Sequence, residues 1–256
     1  MRQQLKERTN SKTHEFKLRG MEHTRIEGLS DGVFAIAIAL LLISADVPER
    51  FDELKLFLKD FVPFGATIIL LMVIWYQHYI FFIRYGLRDA SIVTLNTLLL
   101  FLILFYVYPL KFLFKTLFTL FSGLIRQDED ALRYLFSVTI KGEDGTTLMV
   151  IYGIGAAAIF ITLALLYLYA LRKKTALALN ELEIYDTKSS LLMNLSLASI
   201  PLLSSLVAAL EIGGNNAFTY AGLTYFIYPI IMPIVGTILG RKRKIMIDKI
   251  RKTIAS

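Results

Sequence analysis

The chain has 256 residues, 55% of them hydrophobic and 19% charged, and its apolar residues gather into long runs with a mean hydropathy of +0.58. That composition excludes a soluble globular domain and reads as an integral membrane protein. The absence of cysteine excludes disulfides, and the net charge of +7 is not a nucleic-acid footprint, because its basic residues follow membrane topology.

Residues 1–24 are polar and mixed in charge, and read as a cytosolic N-terminal tail. They carry too many charges for a secretory signal, so the first apolar run is read as a retained span. Six candidate spans follow, approximately 28–47, 62–83, 91–121, 147–171, 190–211 and 218–240, each near or above the ~20 residues that cross a hydrocarbon core. They predict an all-α transmembrane domain over 25–240 with six helices, followed by a basic cytosolic tail over 241–256.

The first span holds the chain's most ordered pattern. On a 3.6-residue period, Leu29, Ile36, Leu40, Ile43 and Val47 form a stripe of branched side chains. Beside it run Gly28, Gly32, Ala35 and Ala39, small residues of the kind that let membrane helices approach closely. Asp31 lies at the mouth of this apolar run, where a carboxylate is costly and needs a reason.

Between spans one and two, PERFDELKLFLKDF predicts a short amphipathic helix on the membrane surface. Span two ends in IWYQHYIFFIRYG, where Trp75, Tyr76 and Tyr79 suit a membrane boundary. His78 lies one turn after Trp75, at the depth expected for Asp31, so a buried pair of Asp31 with His78 or Arg25 is expected, structural or pH-responsive. Span three is too long for one crossing and is expected to project, or to break near Pro109, with Lys111 and Lys115 at its end. Asn96 and Asn194 read as interhelical hydrogen-bond partners. The only sizeable loop, 122–147, offers Asp128 as a helix cap, and GGNN marks a tight turn before the last span.

Lys and Arg set the orientation. Seven lie in or at the end of the N-terminal tail, two between spans two and three, four between spans four and five, and seven beyond residue 240, twenty of the 28 in the chain. Both termini are therefore predicted to be cytosolic, and RKRK at 241–244 reads as a stop at lipid headgroups.

Enzymatic chemistry finds no support. The three histidines, His14, His23 and His78, lack zinc-site spacing, and there is no nucleophile elbow or Gly-rich phosphate loop. No TVGYG-like filter is present, so an ion pathway would select through side chains or a narrow neck. The acidic residues of the spans, Asp31 and Glu211, lie near span ends and not at midplane, which weighs against the alternative of a secondary or proton-coupled transporter.

Arg25, Leu29, Ser30, Asp31 and Gly32 spell R-x3-L-S-D-G, which resembles the R-x3-F-S-D-G opening of the transmembrane protein 175 family of potassium channels. Trp75, His78, Asn96 and Pro109 extend the resemblance over roughly residues 25–112. Leu29 departs from the family's Phe, and Tyr79 from its frequent second His. The resemblance implies a potassium-preferring cation channel in which the first helix lines a central pore. A single six-span repeat looks like a bacterial member, a homotetramer in the plasma membrane that passes potassium and other monovalent cations and needs no cofactor or other metal. It also implies a constriction at Ile36, Leu40 and Ile43, with Ser44 as a polar residue at the pore mouth. Behind the pore it implies a network of Arg25, Ser30, Asp31, Trp75 and His78, which Asn96 joins, with Gly28, Gly32, Ala35 and Ala39 as packing positions.

Overall fold

A computed structural model describes residues 16–43, 49–141 and 144–255, and among these every regular element is helical. The helices are α1 (Arg25–Ile43), α2 (Phe51–Lys59), α3 (Phe61–Tyr85), α4 (Ala90–Arg126), α5 (Glu129–Tyr134), α6 (Asp144–Arg172), α7 (Glu181–Ala209), α8 (Ala217–Leu223) and α9 (Tyr228–Ala255). A π turn at Leu135–Thr139 follows α5, and short 3-10 turns at Gly214–Asn216 and Thr224–Ile227 flank α8.

Five segments are long and apolar enough to cross a bilayer: α3, α4, α6, α7, and the run from Gly214 to Ile250 that contains α8 and most of α9. They correspond to the last five expected spans. The remaining one, expected at 28–47, begins as α1 and runs past Ile43 out of the described residues. The protein is a multi-pass membrane protein.

Local chemistry sets the helix ends. Asp89 caps α4 by accepting from the Ile92 N–H at 3.2 Å, while its second carboxylate oxygen accepts from the Tyr169 hydroxyl at 2.8 Å and ties α4 to the end of α6. Asn180 and Glu183 form a reciprocal capping box at the start of α7. Asp128 caps α5 through the Ala131 N–H. Gly86 ends α3 at φ 60°, a left-handed conformation that an L side chain resists, and an added Cβ would also meet the Arg19 carbonyl at 2.9 Å.

α6 lies along α7 more extensively than any other pair, and Gly153 permits it: a Cβ there would collide with the Pro201 carbonyl and the Ser205 hydroxyl. An aromatic cluster seals the junction of α3, α6 and α7. Phe81 and Tyr85 pack edge-on to Tyr167 with centroids at 5.4 and 6.0 Å, and the Tyr85 hydroxyl donates to Thr187 at 2.7 Å.

Three sequence expectations change in detail. Of the two outcomes expected for span three, projection is the one found: α4 is continuous through Pro109, and its 37 residues, about 55 Å at 1.5 Å each, overshoot the ~30 Å hydrocarbon core. The overshoot is held by Lys111, which donates to the Leu41 carbonyl at 2.8 Å, and by Lys115, which pairs with Asp60 at 2.9 Å. RKRK lies inside the last helix, which continues to Ala255 with Arg243 clamped on Asp186 at 2.8 and 3.0 Å.

The third change concerns the N-terminal segment, part of which docks on the helices. Residues 19 and 20 donate backbone bonds to the Arg84 and Ile83 carbonyls, and the Phe16 ring packs edge-on to Tyr85 at 5.4 Å. Glu183, only 2% exposed, receives the Arg19 guanidinium at 2.8 and 2.9 Å and the Lys17 N–H at 2.9 Å. Arg19 Nε spends its proton on the Leu177 carbonyl.

Candidate functional site: the first helix and its polar partners

α1 has two unlike faces. Glu27, Ser30, Phe34, Ala37 and Leu41 recur at three- and four-residue steps and are buried against the rest of the chain. Both stripes seen in the sequence lie on the other side. Leu29 is 65% exposed and Ile36 55%, and Leu40 is half-buried. Gly28, Gly32, Ala35 and Ala39 are all exposed. A Cβ on Gly32 would meet nothing within 4 Å, and one on Gly28 would meet only the His23 ring. Among the described residues, no helix covers the Leu29 and Ile36 side chains or the small stripe. The Ile43 side chain and Ser44 lie outside the described residues.

The polar residues expected behind this helix form two separate groups. In the buried group, Asn96 Nδ2 donates to Ser30 Oγ at 3.0 Å, and Ser30 donates on to the Ile26 carbonyl at 2.8 Å. That leaves Asn96 Oδ1, an acceptor only, facing His78 Nε2 at 2.7 Å, so His78 carries a proton on Nε2. The chain of bonds therefore runs from His78 on α3 through Asn96 on α4 to the backbone of α1. His78 and Asn96 are each 2% exposed and Ser30 is fully buried.

The second group is half-exposed. Trp75 Nε1 donates to Asp31 Oδ1 at 2.8 Å, and His23 Nε2 lies 3.5 Å from Asp31 Oδ2. The expected pairing of Asp31 with His78 or Arg25 is not formed. Arg25 precedes Asp31 by six residues, about 120° around the helix, so its side chain leaves on a different side. His78 follows Trp75 by three, which turns it inward to Asn96. The sequence reading missed His23. It precedes the helix, where periodicity carries no information, and only the path of the chain brings it back over the first turn.

Asn194 also departs from expectation. It bonds within its own helix, donating to the Ser190 carbonyl at 2.9 Å, and among the described residues it bridges to no other helix. Among the described residues, no group of His, Cys, Asp and Glu is arranged to hold a metal ion.

The comparisons bear on this same region. A family described as the endosomal/lysosomal potassium channel TMEM175 matches residues 25–106, which span α1, α2, α3 and the first part of α4. A potassium channel of Marivirga tractuosa is 44% identical over 230 residues, covering 90% of this chain and 92% of the relative. The chain belongs to the TMEM175 family. A crystal structure of a variant of the potassium channel MtTMEM175, in complex with a nanobody–MBP fusion, superposes on this TMEM175-family chain with a TM-score of 0.80 at 44% identity. That match covers 89% of this chain and 97% of the solved one. A potassium channel of Chamaesiphon minutus is 32% identical over 96 residues, covering 34% of this chain and 47% of its own length. The resemblance read from R-x3-L-S-D-G is thus borne out, and the uncovered face of α1 falls within the segment that the TMEM175 family shares.

The buried group gives a first prediction. Asn96→Leu keeps the branched shape but orphans the His78 N–H and removes the bond that the Ser30 hydroxyl accepts, while that hydroxyl still donates to the Ile26 carbonyl. Orphaned polar groups cost about 1–3 kcal/mol each, and interhelical pairs in membranes fall at or below the low end, so a loss near 2 kcal/mol is expected. Thermal unfolding of the purified protein measures it. Adding His78→Phe, which removes the orphaned N–H, should recover part of the loss, and a double variant no more stable than the single would break the proposed chain of bonds.

Proposed function

We propose that this protein is a potassium-preferring cation channel in which four copies surround a central axis, each presenting α1. The observation that carries the reading is the uncovered face of α1. A membrane helix whose large aliphatic and small residues are both left bare by its own chain needs further copies to cover them, and the relatives of this chain are named potassium channels.

In this arrangement Ile36, Leu40 and Ile43 of each copy form three apolar rings, about one helical turn apart. A narrow apolar neck empties of water and ions and so closes the pore without a moving plug. Such rings offer no ligand to replace an ion's hydration shell, so selectivity is modest and receives help from Ser44 at the mouth. Gly28, Gly32, Ala35 and Ala39 seat the neighbouring copy's helix and set the neck's width. Arg25, Ser30, Asp31, Trp75, His78 and Asn96 act as a brace behind the pore and not as ion ligands. Residues 25–240 make the channel domain, both termini are cytosolic, and the protein resides in a bacterial plasma membrane.

Reconstitution into planar bilayers tests this. Current should reverse near the potassium Nernst potential under a potassium gradient, and cross-linking in the bilayer should stop at four subunits. Flux that saturates at carrier rates and requires a proton gradient would sink the channel reading.

A further inference from the structure

Two adjoining clefts lie between α3 and α7, the first also bounded by Gly236 and Leu239 of α9, away from the residues proposed for the pore. One, of about 360 Å³, is lined by Gln77 and Arg84 of α3 and by Ser189, Ser190 and Asn194 of α7, and is closed by Tyr167 of α6. The other, of about 590 Å³, shares Tyr76, Gln77 and Met193 with the first and continues between Ile69, Met72, Val73 and Leu197. Together they make one groove, polar at the Arg84 end and apolar at the other. It runs along two helices long and apolar enough to cross the bilayer, so its surroundings are lipid.

We propose that this groove holds an anionic phospholipid with a hydroxyl-bearing headgroup, its phosphate at Arg84 and a headgroup hydroxyl donating to Asn194 Oδ1. Three observations define that occupant. Asn194 is 1% exposed and lines the groove, and its Oδ1 has no hydrogen-bond partner among the described residues. A buried amide oxygen left unpaired is costly, so the site calls for a donor.

Arg84 supplies the charge. Its guanidinium stacks on the Phe16 ring at 5.0 Å and forms no ion pair among the described residues. The buried carboxylates at the start of α7 are already engaged, Glu183 by Arg19 and Asp186 by Arg243. The cation is therefore left for an outside anion, and a phosphate takes both a charge and several N–H donors from arginine.

The apolar half supplies the third requirement. From Ile69 to Gln77 the α3 side of the groove extends about 12 Å at 1.5 Å per residue, and it offers aliphatic and Met side chains, which suit an acyl chain. A free anion leaves that half bare. Only a lipid brings the anion, the donor and the chain together, and basic pockets between membrane helices are where anionic headgroups bind. α3 faces the groove with Tyr76 and Gln77 and faces α1 and Asn96 with Trp75 and His78, so a bound lipid abuts the same two turns that hold Asp31.

Native mass spectrometry of the full-length protein, incubated with equimolar phosphatidylglycerol, phosphatidylmethanol and phosphatidylcholine, tests each part. Phosphatidylmethanol carries the same charge as phosphatidylglycerol without the hydroxyls, and phosphatidylcholine carries no net charge and no donor. Phosphatidylglycerol should be retained about tenfold over phosphatidylcholine, the factor for one charge-assisted hydrogen bond, with phosphatidylmethanol between them. Arg84→Gln should remove the preference for the anionic lipids and keep that for hydroxyls. Asn194→Leu should equalise phosphatidylglycerol and phosphatidylmethanol and keep the preference for anions. Met193→Trp, filling the shared middle of the groove, should lower retention of all three lipids. Equal retention of phosphatidylcholine by the unaltered protein, or lipid ratios indifferent to all three substitutions, overturns the proposal. So does efficient self-cross-linking of Val73→Cys in this otherwise cysteine-free chain, which would show a second copy seated in the groove.

Discussion

Ile36→Asn is expected to raise single-channel conductance roughly tenfold and to lower potassium-over-sodium selectivity. A tenfold change corresponds to about 1.4 kcal/mol removed from the barrier at the proposed neck, a modest demand on the four amides that the proposed tetramer would place where four sec-butyl groups stand. The amides wet the neck, because water that gains hydrogen bonds there no longer leaves it. Leu40→Asn should act in the same direction, and Phe34→Asn should not, since Phe34 is 3% exposed within the chain's own core and would harm folding first. Single-channel recording gives the conductance. Ile36→Cys, free of background thiols because the chain has no cysteine, gives the position independently. Unchanged current together with a thiol that no hydrophilic reagent reaches would remove Ile36 from the pore.

The second large effect concerns stability. Glu183→Ala should destabilise the fold by about 3–5 kcal/mol, the range found when one partner of a buried ion pair is deleted. The reason is the number of groups that converge on this carboxylate. Arg19 contributes two N–H donors, and the backbone N–H groups of Lys17 and Asn180 add two more, at 2.8 to 3.0 Å. Removing it strands a guanidinium whose side chain is 14% exposed and opens the capping box at the start of α7. For a chain of this length such a loss lowers the melting temperature by on the order of 10 °C. Thermal unfolding of Glu183→Ala, Arg19→Ala and the double variant forms a cycle. Coupling near zero would mean that the segment before α1 is held by its backbone bonds and Phe16, and not by this pair.

That segment also shows where sequence reasoning reaches its end. Residues 1–24 have the composition of a tail, and no period within them signals packing. Arg19 docks because its partner lies 164 residues away, and no local rule links Arg19 to Glu183. His23 reaches Asp31 through the same docked path. Asn96 and Asn194 looked alike as single polar residues in apolar runs. One bridges two helices and the other leaves an oxygen bare in a groove, a difference set by what each neighbouring helix presents. Pro109 is the reverse case. The local rule left a break or a projection open, and α4 passes through it intact, with its far end held by Lys111 and Lys115.

The sequence by itself determined the membrane class, five of the spans, the cap at Asp128, the family, and the two stripes of α1. Each of these depends on hydrophobic length, 3.6-residue periodicity or a contiguous motif, and all three are local properties of a chain. Only the tertiary structure decided which face of α1 its own subunit covers. Periodicity sorts residues onto faces but cannot say which face meets a neighbour. The answer came from α3 and α4, which bury the Ser30, Phe34 and Ala37 side and leave Ile36 and Gly32 bare.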